Sequence, residues 1–275
     1  MSGLLNFTKI SRAKFSCNKS MVRSVYVSEL VSQSGSKDNL DDYIADKAPL
    51  YYRDLSSIYD SLNDGYFLTT IKETLRKLPT SDSFRESHFG EIAACIFTEE
   101  VMGLRRLYSK LSLLTSENAN AYKMDLVLYN PNVEPLEFVF CEVKSSPKSS
   151  IDGLPAGHDK SCFADIFNSL NGYVDRDLEF DLAAAKDRIS GLPEQDRAKV
   201  REALKPYSNA KVKYAGIAVI DSSTQDTNET TLLATRKNKK EFDVDLLCIE
   251  AYPTTAQSVY ERLEALSVLC SRKKN

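Results

Sequence analysis

Apolar residues recur at the spacing of an α-helix in four parts of the chain. The first covers 38–78 and is interrupted at 63–65 by Asn-Asp-Gly, which breaks the pattern. The second, at 82–104, carries two apolar stripes, so we expect a helix that is covered on two sides. Residues 163–205 predict two helices, and residues 256–270 predict a closing amphipathic helix.

Four shorter segments have the composition of β-strands. Residues 123–129 and 136–143 flank Asn-Pro-Asn at 130–132, which favours a turn, and together they predict a hairpin. Residues 212–221 and 242–252 are rich in Val, Ile and Leu and predict two further strands. The order of elements predicts an α/β (α+β) fold with one mixed central sheet and helices on both faces.

The beginning of the chain carries no recognisable chemistry. We interpret 1–80 as a mostly helical N-terminal subdomain or docking region, and 81–275 as the domain that carries the function. Five basic residues lie between Lys9 and Arg23, with no acid before Glu29, as in some transit peptides. Because 22–27 has the pattern of a strand rather than of a cleavage region, we prefer a basic edge strand or a solvated arm.

Composition excludes several classes of protein. Of the 275 residues, 42% are apolar and 27% are charged, which is typical of an ordinary globular protein. The net charge of −3 provides no overall basic field, so nucleic-acid binding would need a local basic patch or a basic partner. No apolar run reaches the ~20 residues that span a bilayer, and we expect a cytoplasmic protein without membrane contact.

The cysteines do not favour a zinc site. None of the six belongs to a Cys-x-x-Cys pair, and the chain has only two histidines to assist them. Their wide spacing, without a secretory signal, predicts reduced and mostly buried thiols.

Two charged residues emerge at the end of the second hairpin strand. Side chains alternate along a strand, so Glu142 and Lys144 face the same way, about 7 Å apart. The turn places Asp125 opposite Cys141 or Glu142, at about 5 Å between Cβ atoms, where like charges repel. A divalent cation between the carboxylates would remove that repulsion, and the lysine would orient an attacking water. Alternatively, Asp125 only ends a strand, and the other two form a surface ion pair.

The arrangement resembles the signature of the PD-(D/E)XK nucleases. Asp125 is followed by sixteen residues and then by Glu142-Val143-Lys144, although Met124 replaces the proline that usually precedes the aspartate. The resemblance implies a restriction-endonuclease-like core and a nuclease domain at 81–275. It also implies that Glu91, on the helix before the hairpin, and the Val143 carbonyl take part in metal binding.

A closer resemblance is to HamA, the nuclease subunit of the Hachiman anti-phage defence system. It is carried by His88-Phe89-Gly90-Glu91, by Lys123-Met124-Asp125 and by Phe140-Cys141-Glu142-Val143-Lys144-Ser145, and it covers about 50–270. The resemblance implies a helicase partner similar to HamB and damage to DNA once phage attack is sensed.

Other charged residues are weaker candidates. Lys148, Lys160 and Arg176 follow the motif and are candidates for phosphate contacts, although we favour ordinary surface cations. Arg236–Lys240 forms a basic cluster in a polar loop, either as a nucleic-acid contact or as a solvated segment. His158 has no partner at ligand or triad spacing, and we expect no catalytic role for it.

The leading hypothesis from the sequence is a DNase that depends on Mg²⁺ (or Mn²⁺) and has little sequence specificity. Asp125 and Glu142 hold the metal, with Glu91 and the Val143 carbonyl as further ligands by resemblance. Lys144 activates water and stabilises charge on the phosphate. Two alternatives remain: a catalytically inactive adaptor that regulates a helicase, and a structure-specific nuclease of repair or recombination.

Overall fold

The described residues of the chain form one twisted sheet with helices on both faces. The computed structural model describes residues 8–9, 22–30, 39–53, 60, 63–113, 124–146, 162–206, 208–224 and 241–272. Within these ranges seven strands form one sheet in the order β1-β2-β7-β6-β5-β4-β3. Their bounds are β1 Thr8–Lys9, β2 Val22–Leu30, β3 Arg105–Ser109, β4 Leu126–Asn130, β5 Glu137–Ser146, β6 Lys211–Asp221 and β7 Phe242–Ile249.

The sheet is mixed, as the sequence predicts. Strands β2, β7, β6 and β5 run parallel to one another. Strands β4 and β3 then continue the sheet in antiparallel pairs from β5. The C-terminal end of β5, the start of β4 and the end of β3 therefore lie at the same edge of the sheet. The fold class, an α/β protein with a mixed central sheet, is confirmed.

Helices pack on each face of the sheet. The bounds of those described are α1 Leu40–Lys47, α2 Pro49–Tyr52, α3 Phe67–Leu75, α4 Asp82–Glu100, α5 Lys110–Leu113, α6 Cys162–Gly172, α7 Asp175–Lys186, α8 Glu194–Ala203 and α9 Tyr252–Arg272. None of the helices described combines the length and the apolar character that a membrane span requires.

Helix α4 is the central element of one layer. All residues from His88 to Thr98 on it except Glu91 are buried, which agrees with the prediction of a helix covered on two sides. It packs between the sheet and helices α1, α2 and α9, and the aliphatic side chains of β5, β6 and β7 complete this core. After the helix ends, Gly103 adopts φ +70°, a left-handed conformation that favours glycine, and the chain turns into β3.

The opposite face of the sheet is covered by α6, α7 and α8. Phe138 and Phe140 of β5 belong to this second core, whereas Val139, Cys141 and Val143 belong to the first. The alternation along β5 predicted from the sequence is therefore confirmed. Both faces of the strand are apolar because both are covered.

One local prediction was wrong, and two short elements were not predicted. Residues 163–205 form three helices rather than two, because the chain is interrupted at Gly172 as well as near 187–193. The sequence pattern also did not reveal β3 and α5. Strand β3 has only five residues, and its register with β4 shifts between Arg106 and Tyr108, so its side chains do not alternate regularly.

The described parts of the first 80 residues belong to the same sheet and core. Strand β2 pairs with β7 over most of its length and is covered on its other side by β1 for only two residues. Leu40, Ile44 and Tyr52 are buried in the core that contains α4. The division of the chain near residue 80 stays a prediction.

Candidate functional site

The hairpin of β4 and β5 places two acidic residues opposite each other. Leu126 pairs with Cys141, so the next position along each strand brings Asp125 opposite Glu142. The Asp125 N–H donates to the Cys141 carbonyl at 3.2 Å and closes the ladder. This register is one of the two that the turn predicted.

Asp125 is held by donors on two sides. Its side chain is buried at 3% exposure. The Val143 N–H donates to Oδ2 at 2.8 Å, and Lys110 Nζ donates to Oδ1 at 3.1 Å. The N–H and C=O of a strand residue point to the same side, so the Val143 carbonyl also faces the end of β4. Hydrogen bonds to a carboxylate are stronger than neutral ones, so Asp125 is firmly oriented.

Glu142 and Lys144 share one face of β5, as predicted. Lys144 Nζ lies 2.6 Å from Glu142 Oε1, at the end of the strand on the side covered by α6. Burial, and then the charge of Asp125, raises the pKa of Glu142 to about 7. Burial alone would lower the pKa of Lys144, but the neighbouring carboxylates of Glu142 and Asp125 leave it above its ordinary value. The lysine is therefore charged at neutral pH.

Glu91 approaches the same edge of the sheet from α4, on the opposite face. Part of the residue is exposed, but Oε2 is buried and has no hydrogen-bond partner within the described residues. Burial raises the pKa of Glu91 well above its ordinary value, and the charge of Asp125 raises it further. A buried carboxylate oxygen without a partner is costly unless a proton, a water or a cation satisfies it.

Gly90 permits this approach of α4 to β5. A Cβ built on Gly90 would lie 2.4 Å from Ser145 Cβ and 3.1 Å from the Tyr252 hydroxyl. Because real Cβ atoms do not come so close, only glycine allows the helix to lie against the last residues of β5. Gly90 and Glu91 therefore act together. Gly90 lets α4 lie close to β5, and Glu91, the next residue, places its carboxylate near the ends of β4 and β5.

Lys110 is the member of the site that the sequence did not reveal. It begins α5, directly after β3, and its backbone N–H donates to the Asp125 carbonyl at 2.7 Å. Burial lowers its pKa, but the charges of Asp125 and Glu91 outweigh this effect and raise the pKa above its ordinary value. Its position depends on the pairing of β3 with β4, and nothing near it in the sequence marks that pairing.

Two tyrosines and a histidine fill the space behind the site. The Tyr52 hydroxyl shares hydrogen bonds with His88 Nδ1 at 3.0 Å and with the Tyr260 hydroxyl at 3.1 Å. All three side chains are buried. Burial, and then the charge of Lys110, lowers the pKa of His88 to about 4. The imidazole is therefore neutral at neutral pH and holds α4 against α2 and α9.

The donor set has the chemistry that a hard divalent cation prefers. Asp125 and Glu142 provide carboxylate oxygens, and Glu91 provides a buried oxygen without a partner, which together fit Mg²⁺ or Mn²⁺. Among the described residues, no three acidic, histidine or cysteine side chains converge into a ready metal-binding group. Lys110 and Lys144 instead supply the positive charge, and a bound cation would displace them from the carboxylates.

Of the remaining candidates, only Arg176 lies within the described residues. Arg176 is exposed in the first turn of α7. Lys148, Lys160, His158 and Arg236–Lys240 lie outside the described residues.

The fold and the site together define an α/β protein with paired carboxylates and lysines at one edge of a mixed sheet. A family model described as HamA matches residues 5–263, and the chain belongs to the HamA family. It is therefore a protein of the Hachiman anti-phage defence system, which has several components. No curated protein matches the chain.

Proposed function

We propose that this member of the HamA family is a metal-dependent nuclease that hydrolyses phosphodiester bonds of DNA with little sequence specificity. The observation that carries the proposal is the pair of buried carboxylates, Asp125 and Glu142, opposed across the hairpin and accompanied by two lysines. Two like charges facing each other at the end of a covered strand are costly for the fold alone, and they suit a cation that polarises a phosphate.

Each residue has a distinct part in the proposed reaction. Asp125, Glu142 and the Val143 carbonyl would hold Mg²⁺ or Mn²⁺, which supplies Lewis acidity and a more acidic water when bound. The fixed orientation of Asp125 by the Val143 N–H prepares this site before substrate arrives. Glu91 offers its buried Oε2 to the cation or to a water beside it.

The two lysines would act on the phosphate and the water. Lys144 orients the attacking water and stabilises negative charge that develops on the phosphate. Lys110 lies on the other side of Asp125, and once released from Oδ1 its ammonium group would neutralise a second phosphate oxygen. Both side chains are charged in their present surroundings because the carboxylates raise the pKa of each.

We further propose that a helicase partner similar to HamB delivers the DNA. The chain has a net charge of −3, which gives little general attraction for a polyanion. A partner that already moves along DNA would supply that attraction, and the small chain would need only a local site of cleavage.

The test is the degradation of plasmid, linear and single-stranded DNA by the protein, alone and with the helicase of its system, in Mg²⁺ and in EDTA. Lys144→Met should reduce the cleavage rate by about 100-fold or more, which is typical of the loss of one group that stabilises transition-state charge. Lys213→Met is the matched control, because Lys213 pairs with Glu137 at 2.7 Å at the other end of β5.

Three results would change the assignment. Equal cleavage by Lys144→Met and Lys213→Met would remove the site from the reaction. An absence of cleavage by the wild-type complex in Mg²⁺, with the complex intact, would favour the adaptor. Cleavage confined to branched or flapped DNA would instead identify a structure-specific nuclease.

A further inference from the structure

A small cavity lined by three arginines lies at the open edge of the sheet. Its volume is about 30 Å³, which has room for one or two waters or for the oxygens of a bound anion. Arg53 follows α2, Arg106 is on β3 and Arg188 follows α7. Tyr108 and Ser112 are among the other lining residues. Three arginines from distant parts of the chain therefore line one space.

Arg106 is the fixed member of this arginine cavity. Its side chain is 9% exposed, and its Nε lies 3.2 Å from Glu99 Oε1. The guanidinium also stacks over the Tyr51 ring, 4.3 Å from the centroid. Its Nη1 is buried and has no hydrogen-bond partner within the described residues. Its Nη2 also donates to the Leu50 carbonyl at 3.3 Å, so the group is anchored while the buried Nη1 donor remains unsatisfied within the described residues.

Arg188 is held less firmly than Arg106. Arg188 donates from Nη1 to the Ala184 carbonyl at 3.0 Å and has no acidic partner within the described parts of the chain. Arg53 pairs with Glu73 at 2.8 Å, but that carboxylate is 53% exposed, so the pair is screened by water. Arg188 therefore brings to the cavity a positive charge that no carboxylate of the described residues neutralises, and an anion would balance it.

The cavity lies beside the proposed active site. Ser112 on its wall is two residues after Lys110, which contacts Asp125. Along the sheet the order is β5, β4 and then β3, with the cavity beyond β3 at the edge strand. A DNA strand that runs across the ends of β5, β4 and β3 would therefore meet the carboxylates first and the arginines next.

We propose that the arginine cavity binds a backbone phosphate of the DNA strand that the proposed active site cleaves. This inference rests on the proposed function. Phosphate fits because the planar guanidinium presents paired donors that match its oxygens, and because two or three such groups can share one anion. The contact would fix the path and register of the strand, and it reads no base sequence.

The test measures DNA binding and not cleavage. Fluorescence anisotropy of a labelled single strand and a labelled duplex, in EDTA, gives Kd for the full-length protein alone and with its helicase. Arg188→Gln should weaken binding by about 10-fold, as expected for the loss of a charge-assisted contact. It should also reduce the slope of log K against log salt by about 0.7 for the single strand and about 0.9 for the duplex. Arg201→Gln, an exposed arginine on α8, is the control and should change neither value.

Several outcomes overturn the proposal. It is overturned if Arg188→Gln keeps the wild-type Kd and salt slope, or if Arg201→Gln loses as much affinity as Arg188→Gln. It is also overturned if the wild-type protein binds no DNA, with or without its helicase. Arg53→Gln provides a second variant in case the first does not fold. Because the assay contains no divalent metal, a protein that binds DNA through these arginines but never cleaves it would refute the proposed function and leave the binding site standing.

Discussion

Acidification is expected to destabilise the protein through His88, the histidine buried on α4. The side chain is 5% exposed and shares a hydrogen bond of 3.0 Å with the Tyr52 hydroxyl. Burial, and then the charge of Lys110, lowers the pKa of His88 to about 4 in the folded protein. In the unfolded chain the pKa returns to about 6.5, so the unfolded state binds a proton more readily.

The direction of the effect follows from this difference. Above about pH 7 the imidazole is neutral in both states, and the full stability is present. As the pH falls from about 6.5 to about 4, the unfolded state gains a proton that the folded state does not accept, and the free energy of unfolding declines. The complete loss is about 3 kcal/mol, and about 2 kcal/mol of it is reached by pH 5.

Urea unfolding at pH 7.5 and pH 5 measures this loss. The free energy of unfolding of the wild-type protein should fall by about 2 kcal/mol more than that of His88→Gln, which cannot titrate. Glu142, whose raised pKa acts in the opposite direction, is present in both proteins and cancels in the comparison. Equal losses in the two proteins would refute the assignment of a buried, neutral His88, as would a ring that titrates near pH 6.5 in an NMR titration of the folded protein.

Three substitutions test other parts of the structure. Gly90→Ala should lower the free energy of unfolding by about 1–3 kcal/mol, since its Cβ would lie 2.4 Å from Ser145 Cβ. Lys110→Met should tighten Mg²⁺ binding, measured by calorimetry, because the ammonium 3.1 Å from Asp125 Oδ1 competes with the cation; cleavage should nevertheless slow. Asp196→Ala should cost about 2–3 kcal/mol of stability in urea unfolding without changing Mg²⁺ affinity, because this buried carboxylate accepts hydrogen bonds from β3 and β4.

Each of these has a matched control in the chain. Gly172→Ala, where a new Cβ meets nothing within 4 Å, should leave stability unchanged or slightly improved. Lys186→Met and Asp187→Ala replace exposed residues of the same types near the end of α7. If Gly90→Ala is as stable as Gly172→Ala, the close approach of Gly90 to Ser145 is contradicted. Unchanged Mg²⁺ affinity in Lys110→Met would contradict the competition of Lys110 with the cation at Asp125. Full stability in Asp196→Ala would contradict the contribution of its hydrogen bonds to β3 and β4.

The central hairpin could be predicted because its signals are local. The Asn-Pro-Asn turn at 130–132 sets the register, and the regular alternation of β5 separates its two faces. These two features bring Asp125 opposite Cys141 or Glu142 and place Lys144 on the face of Glu142, and the pairing of Leu126 with Cys141 in the structure selects Glu142. The parallel strands β6 and β7 were found for a similar reason, since both are short apolar runs bounded by polar residues.

The remaining parts of the site depend on pairing between distant segments. Lys110 reaches Asp125 only because β3 pairs with β4, and the irregular register of β3 hides that strand from a search for alternation. The arginine cavity joins residues 53, 106 and 188, which no sequence pattern connects. Gly90 could be seen as a glycine in a helix, but its reason, the approach of Ser145, exists only in the folded protein.

We propose that the opposed carboxylates at the end of β5 carry out metal-dependent cleavage of DNA. The most direct measurement compares Mg²⁺-dependent DNA cleavage by Glu142→Gln and Glu137→Gln, two substitutions of buried glutamates on the same strand. We predict that Glu142→Gln loses at least about 100-fold in rate while Glu137→Gln cleaves like the wild type. Cleavage at the wild-type rate by Glu142→Gln would contradict it.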